Sequence, residues 1–476
     1  MSVGRRPELT IVLALLAAGS SWSSGCAAAR VPTARVDEAP RPSAVPLATA
    51  PQSPPTPQRG HTREVTPSEL LAVRPLIEAA ERVRGLRFAR EVPVLVQDRD
   101  AIMGYVDGQI KADELERSRT IYTALGLLPP QLDVRKLLVR LMGEQIVGYY
   151  DVDTHRLVVR DDVMRAFGGI GTTPSVDLAE ARVVLVHELV HALQDQHLGL
   201  SANIAKKRDS DADNAFRALV EGDATLAMIA FALERDSQPL AELTRNPARV
   251  RSLSDLVRGS PLAGSELGSA PPIVRVPLLS AYVDGLTFAA NLHGDGGWGR
   301  VDRAHADPPA STEQVLHPER FAHPTAPERP RLPEARSALG PDYKLLYQDT
   351  LGELEMRVYF ELGSPSLEAQ RAVQGWRGDR LYAYVSATAE TAIVWLATFI
   401  DERGAELAEH AAERASATSP KQARARQLVA RSGRALLMLR NVPSDAHAAL
   451  RARFERFAAA PTPGGGQGRA PSPEPD

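Results

Sequence analysis

The chain has 476 residues, 43% of them hydrophobic, and a formal net charge of -3. That is enough apolar material for one large core or two modest ones, and the absence of a basic stripe argues against nucleic acid as a partner. A single cysteine, Cys26, excludes an intrachain disulfide.

Residues 1–25 have the layout of an export signal: Arg5 and Arg6, an apolar run from Ile11 to Ala18, then small residues. The run is too short to remain as a membrane span. Ser23-Ser24-Gly25-Cys26 resembles a bacterial lipobox, with Ser23 standing where Leu is usual. That resemblance implies membrane anchorage through a lipidated Cys26. By similarity to Gram-negative lipoproteins, Ala27 after it points to the outer membrane. The other reading is a secretory signal cut near Ala27–Ala29. Residues 26–64, rich in Pro, Ala, Ser and Thr, read as a tether. Residues 459–476, with Gly464-Gly465-Gly466, read as a disordered tail.

Thr66-Pro67-Ser68-Glu69 predicts a capping box that opens a helix, with Pro75 kinking or interrupting it. Glu91 to Val96 predicts a short strand, and Pro93 favours a sheet edge for it. Helices are expected over 98–125 and 131–144, separated by Gly126 and Pro129-Pro130. Gln145–Tyr150 and His155–Arg160, around the turn Asp151-Val152-Asp153-Thr154, predict a β-hairpin. Its free edge either takes up an extended peptide through main-chain hydrogen bonds or is merely structural.

Ser175 is the expected cap of the next helix, in which Val183 to Leu193 carries His187-Glu188-Leu189-Val190-His191. At this spacing His187 and His191 share one helix face, and two neutral imidazoles so placed can bind one Zn²⁺. Glu188 beside them can act on a water held there. The alternative is a core helix carrying the five letters by chance. Further on, Ala218-Leu219-Val220-Glu221-Gly222-Asp223-Ala224-Thr225 lies on a second apolar helix running to about Leu233.

An H-E-x-x-H helix followed by a helix bearing Glu resembles the gluzincin group of zinc metallopeptidases. The resemblance implies a zincin-like fold with one Zn²⁺, ligands His187, His191 and Glu221, and Glu188 as general base. It also implies that the hairpin strand lies beside the metal helix and pairs with substrate. Thr225 departs from the pattern, because the thermolysin-like members carry Asp there. A carboxylate orienting a ligand histidine must then come from Asp195, Asp223 or Asp213, and Asp195, one turn after His191, is the first choice. The bland alternative for Glu221 is a salt bridge to Arg217.

Residues 236–275 read as loop, and Val274–Leu292 as a buried helix with Pro277 in its first turn. Gly296-Gly297-Trp298, Pro308-Pro309-Ala310-Ser311-Thr312-Glu313-Gln314 and His317-Pro318-Glu319, taken with the upstream motifs, are similar to a group of poorly characterised bacterial metallopeptidases. The similarity spans residues 68–400 or so. Zinc peptidases need a donor for the oxyanion, and His317 and Tyr282 are the candidates. A helix-end His and a core Tyr are their ordinary readings. From residue 376, strand-like and helical runs alternate to about Phe457, and Arg377-Gly378-Asp379 is expected in a turn.

The expected fold is therefore α+β. A mainly helical zincin-like domain with a small mixed sheet occupies 65–375, and a small α+β subdomain occupies 376–458. The expected function is a zinc metallopeptidase of the cell envelope acting on peptide or protein substrates. The alternatives are an inactive zincin-fold protein that binds a peptide or partner, and a zinc hydrolase of cell-wall amides. Oligomeric state is not legible.

Overall fold

Alternating apolar residues build the first of two sheets. The computed structural model describes residues 60–143, 146–169, 177–259, 266–332 and 335–459; the export leader, Cys26, Gln145, Ser175 and the tail from 460 fall outside them. Strands β1 (Thr62–Glu64), β2 (Val94–Gln97), β3 (Gly148–Asp151) and β4 (Arg156–Arg160) pair in the order β1-β2-β4-β3. β2 and β4 run parallel, and the outer pairings are antiparallel. One face carries Val94, Val96, Tyr150, Leu157 and Val159 into the core, and the other carries Val158 and Tyr149, which stacks on Tyr105. Pro93 does not mark an edge. It sits just before interior strand β2 and uses only its carbonyl, which accepts from the Leu157 N–H at 2.9 Å. The edges are β1, which arises within the expected tether, and β3.

The longer helices of the first part are α1 (Pro67–Arg84), α2 (Arg99–Gln109), α3 (Ala112–Leu125), α4 (Val134–Gly143), α5 (Leu178–Leu198) and α6 (Ser210–Glu234). They are followed by α7 (Pro247–Gly259), α8 (Pro272–Gly296) and α9 (Trp298–Ala306). The capping box at Thr66 and Glu69 forms as expected, but α1 runs unbroken through Pro75. The carbonyl that Pro75 leaves free belongs to Leu71, on the exposed side, where water can serve it. The stretch 98–125 divides because Ile110 leaves helical geometry at ψ 102°. The described residues between 236 and 275 are largely helical rather than loop, since Pro239 and Pro247 sit at helix starts, where a missing N–H costs nothing. For the same reason α8 begins at Pro272, which places Pro277 in its second turn. α8 is long and apolar enough to cross a membrane, yet it packs along α6 as a core helix.

The second sheet has β5 (Lys344–Asp349), β6 (Trp376–Val385), β7 (Thr391–Phe399), β8 (Leu428–Ser432) and β9 (Ala435–Arg440), antiparallel in the order β5-β6-β7-β9-β8. Around it lie α10 (Gly352–Phe360), α11 (Ser366–Val373), α12 (Glu402–Ala417) and α13 (His447–Ala459). The sheet thus starts before residue 376. A bulge between Leu345 and Tyr347 breaks the alternation of β5 and hides it from a periodicity reading. One face packs Trp376 and Trp395 against α10, α11 and α12 in a core that also includes Ile121, Leu125 and Val134. The other face is covered by Leu450 and Phe454 of α13. Helix α3 therefore shares a core with the C-terminal sheet, and the architecture is α+β with no break at 375.

Buried carboxylates gather where α6, α10 and the second sheet meet. Glu355 accepts hydrogen bonds from Tyr122 Oη and Asn214 Nδ2, each at 2.9 Å. Burial, and then the charge of Asp349, push its carboxyl up to about 8. An unfolded chain releases this proton near pH ~4.3, whereas the folded chain holds it until about pH 8. The stabilising contribution is therefore full below about pH 4 and is lost as the pH rises through that window. Glu355→Gln should flatten the fall of the urea-unfolding free energy between pH 5 and 8 by up to about 1.4 kcal/mol per pH unit. Equal slopes in the two proteins would refute the assignment.

Candidate metal centre

Helix α5 opens at Asp177, whose side chain accepts from the Ala179 N–H at 2.6 Å, and ends at Gly199 with φ +67°. Ala181, Val184, Leu185, Val186, Leu189, Val190, Ala192 and Leu193 are all buried, which encloses the helix on most sides. The polar side chains His187, Glu188 and His191 therefore need partners inside the protein. α6 supplies them. It starts at Asp209, which caps Ala212 N–H at 3.1 Å, and crosses both α5 and α8.

The α6–α8 crossing depends on two glycines. A Cβ on Gly222 would lie 2.1 Å from the Gly285 carbonyl oxygen, and one on Gly285 would lie 2.2 Å from that of Ala218. This close approach is what brings Glu221 of α6 and Tyr282 of α8 together. Gly222→Ala should cost about 1–3 kcal/mol in urea unfolding by forcing the helices apart. A midpoint within error of wild type would show that the crossing absorbs a methyl.

His187 Nε2, His191 Nε2 and Glu221 Oε2 form a triangle. The two nitrogens are 3.0 Å apart, and they lie 3.1 and 3.6 Å from the carboxylate oxygen. Donors bound at 2.0–2.1 Å around a tetrahedral zinc stand roughly 3.3 Å apart, so the triangle fits such an ion. The electrostatics fit as well. Burial works against a charged His191, yet the charge and hydrogen bond of Glu221, helped by Glu188, raise it to about 9. Burial likewise opposes ionised Glu221, but His191 and His187 hold it well below the usual carboxylate range. A site that draws positive charge to this point is prepared for a cation. Arg217 bonds Asp213 rather than Glu221, at 2.9 Å, so Glu221 is not consumed by that salt bridge.

Glu188 stands at the rim of the triangle, and its Oε2 accepts the Tyr150 N–H at 2.9 Å. That contact shows the Tyr150 N–H pointing away from β4, off the free edge of β3, and alternation puts the main-chain groups of Gly148 on the same edge. Tyr282 is a further neighbour of the triangle, its ring 6.1 Å from that of His187. The charge of Glu221, then burial, and the charge of Glu188 hold the Tyr282 phenol far above its usual range, so it remains a donor at neutral pH. His317 is placed differently. Its Nε2 is engaged with Glu353 at 2.9 and 3.1 Å, and among the described residues no hydrogen bond joins it to the triangle. Of the two candidate oxyanion donors, only Tyr282 has a ring contact with a triangle residue among the described residues.

Asp195 does not orient a ligand histidine. It accepts from Tyr150 Oη at 2.8 Å, contacts His155 Nδ1 at 2.7 Å and takes the Ser201 hydroxyl, fastening the hairpin to α5. His155 is exposed, with φ +57°, as its turn position suggested. The residue that reaches His191 is Gln194, whose Oε1 lies 2.9 Å from Nδ1. A sequence reading had one signal for it, a polar side chain three residues after His191 on a helix otherwise enclosed. The Ser311–Gln314 segment is buried and structural: Thr312 N and Oγ1 bond Asp211 Oδ1 at 2.8 and 2.5 Å.

A family model described as a domain of unknown function, DUF8575, matches residues 344–449. The match covers the second sheet with α10, α11, α12 and the start of α13, and none of the triangle residues. No curated protein and no solved structure matches the chain.

Proposed function

We propose that the chain is a zinc-dependent metallopeptidase of the gluzincin type, exported and anchored through Cys26, with peptides or proteins as substrates. The observation that carries this reading is the convergence of His187, His191 and Glu221 within 3.6 Å, with Glu188 next to His187 on the same helix and the Tyr282 ring 6.1 Å from that of His187. Zinc, when bound by the three ligands, supplies a Lewis acid and an acidified water. The remaining chemistry belongs to the side chains. The edge of β3 holds an extended substrate backbone beside Glu188. The Glu188 carboxylate takes the proton of the attacking water and delivers it to the departing amine. Tyr282 Oη donates to the oxygen on which negative charge develops. The Tyr150 N–H keeps the Glu188 side chain aimed while it does so.

Metal analysis of the purified protein should give one zinc per chain. A peptide library should be cleaved by the protein as isolated, be spared once a chelator has stripped the metal, and be cleaved again on zinc readdition. Zinc binding with no cleavage of any peptide would leave a peptide-binding zincin instead. A protein without zinc would end the proposal.

A further inference from the structure

Gln194 is fully buried one turn after His191. Its amide nitrogen donates to the Val220 carbonyl oxygen at 3.0 Å and to Asp223 Oδ2 at 2.9 Å. A backbone carbonyl only accepts, and Asp223, to both of whose oxygens Arg84 donates, is an acceptor as well. Arg84 Nε lies 2.7 Å from Oδ1, while Arg84 Nη2 and His305 Nε2 lie 3.1 and 2.9 Å from Oδ2. Arg84 is itself fully buried, bonded to Asp302 at 2.6 Å and seated 4.5 Å over the Trp298 ring. The Gln194 amide cannot be reversed in this setting, because its oxygen would then face two oxygens.

Oε1 therefore faces His191 Nδ1, and an amide oxygen only accepts. Nδ1 must carry the proton, which leaves the lone pair of neutral His191 on Nε2, the atom in the triangle. We infer that Gln194 is a positioning residue that sets the tautomer of His191, with its own polarity dictated by the Arg84–Asp223–His305 network. A carboxylate at this place would orient the ring too, but it would add negative charge beside Glu221 and Glu188 and oppose Asp223. The neutral amide orients without charging the site. For its effect on metal affinity this inference rests on the zinc reading above; the tautomer itself does not.

The test uses the full chain. Zinc affinity, read by competition with a chromophoric chelator, should fall about 10- to 100-fold in Gln194→Leu, which keeps the volume and removes the acceptor. With ¹⁵N-labelled histidine in the zinc-free wild type at alkaline pH, His191 should show a protonated Nδ1 and a bare Nε2. Wild-type affinity in Gln194→Leu, or a proton on Nε2 of His191, overturns the inference. Should the variant not fold, the tautomer measured on the unaltered chain decides. A wild-type chain that binds no zinc removes the peptidase reading, and the tautomer signal still tests this one.

Discussion

Glu188→Gln should retain its zinc and lose about 10²- to 10⁴-fold in peptide hydrolysis. The separation of the two effects follows from the geometry. Glu188 stands outside the triangle of His187, His191 and Glu221, so its replacement leaves the ligands in place. Glutamine also keeps an oxygen with which to accept the Tyr150 N–H, so the side chain holds its aim. What it lacks is a group that can take a proton from water and return it to the leaving amine. Zinc content and cleavage rate measured on one preparation check both halves. Full activity in the variant would remove Glu188 from the mechanism, and loss of zinc would assign it to binding instead.

Asp379→Asn should destabilise the protein by about 3–6 kcal/mol, a large share of the stability of an ordinary domain. Asp379 is fully buried in β6, not in a turn as the Arg-Gly-Asp letters had implied. Oδ1 accepts from Gly352 N at 2.9 Å and Trp376 Nε1 at 3.0 Å; Oδ2 accepts from Leu351 N at 3.0 Å and Trp395 Nε1 at 2.9 Å. Each oxygen thus serves one backbone and one indole donor. Whichever way an asparagine amide is placed, its NH₂ meets two N–H groups, and two hydrogen bonds to a charged acceptor are lost. Burial pushes the Asp379 carboxyl up to about 6 even against these four donors, so at pH 7 it is the ion that they hold. Urea unfolding followed by tryptophan fluorescence, with Trp376 and Trp395 beside the lesion, measures the loss. A change below about 1 kcal/mol would show that the four donors find other acceptors.

The two predictions mark the two ways in which this chain uses buried polar groups, and they differ in how far the sequence reveals them. Local devices were legible. The capping box at Thr66 and Glu69, the hairpin of β3 and β4 and the enclosed helix around His187 each depend on residues a few positions apart, where spacing determines which groups meet. Elements that break a local period were not. β5 escaped notice because its bulge offsets Leu345 from Tyr347, and the helices between 236 and 275 were hidden by prolines that begin helices rather than end them.

The same division runs through the candidate site. The sequence by itself determined that His187 and His191 share one face, because a helix repeats every 3.6 residues, and that Glu188 stands beside them. Glu221 was legible through its place on a second apolar helix. Only the tertiary structure decided that Glu221 closes the triangle while His317 pairs with Glu353, that Asp195 fastens the hairpin, and that Gln194 is the group on His191. Those choices depend on how closely α6 crosses α8 at Gly222 and Gly285, and on which carboxylate Arg84 neutralises from the far end of α1. Both are contacts between residues distant in the chain, and helical periodicity carries no information about them.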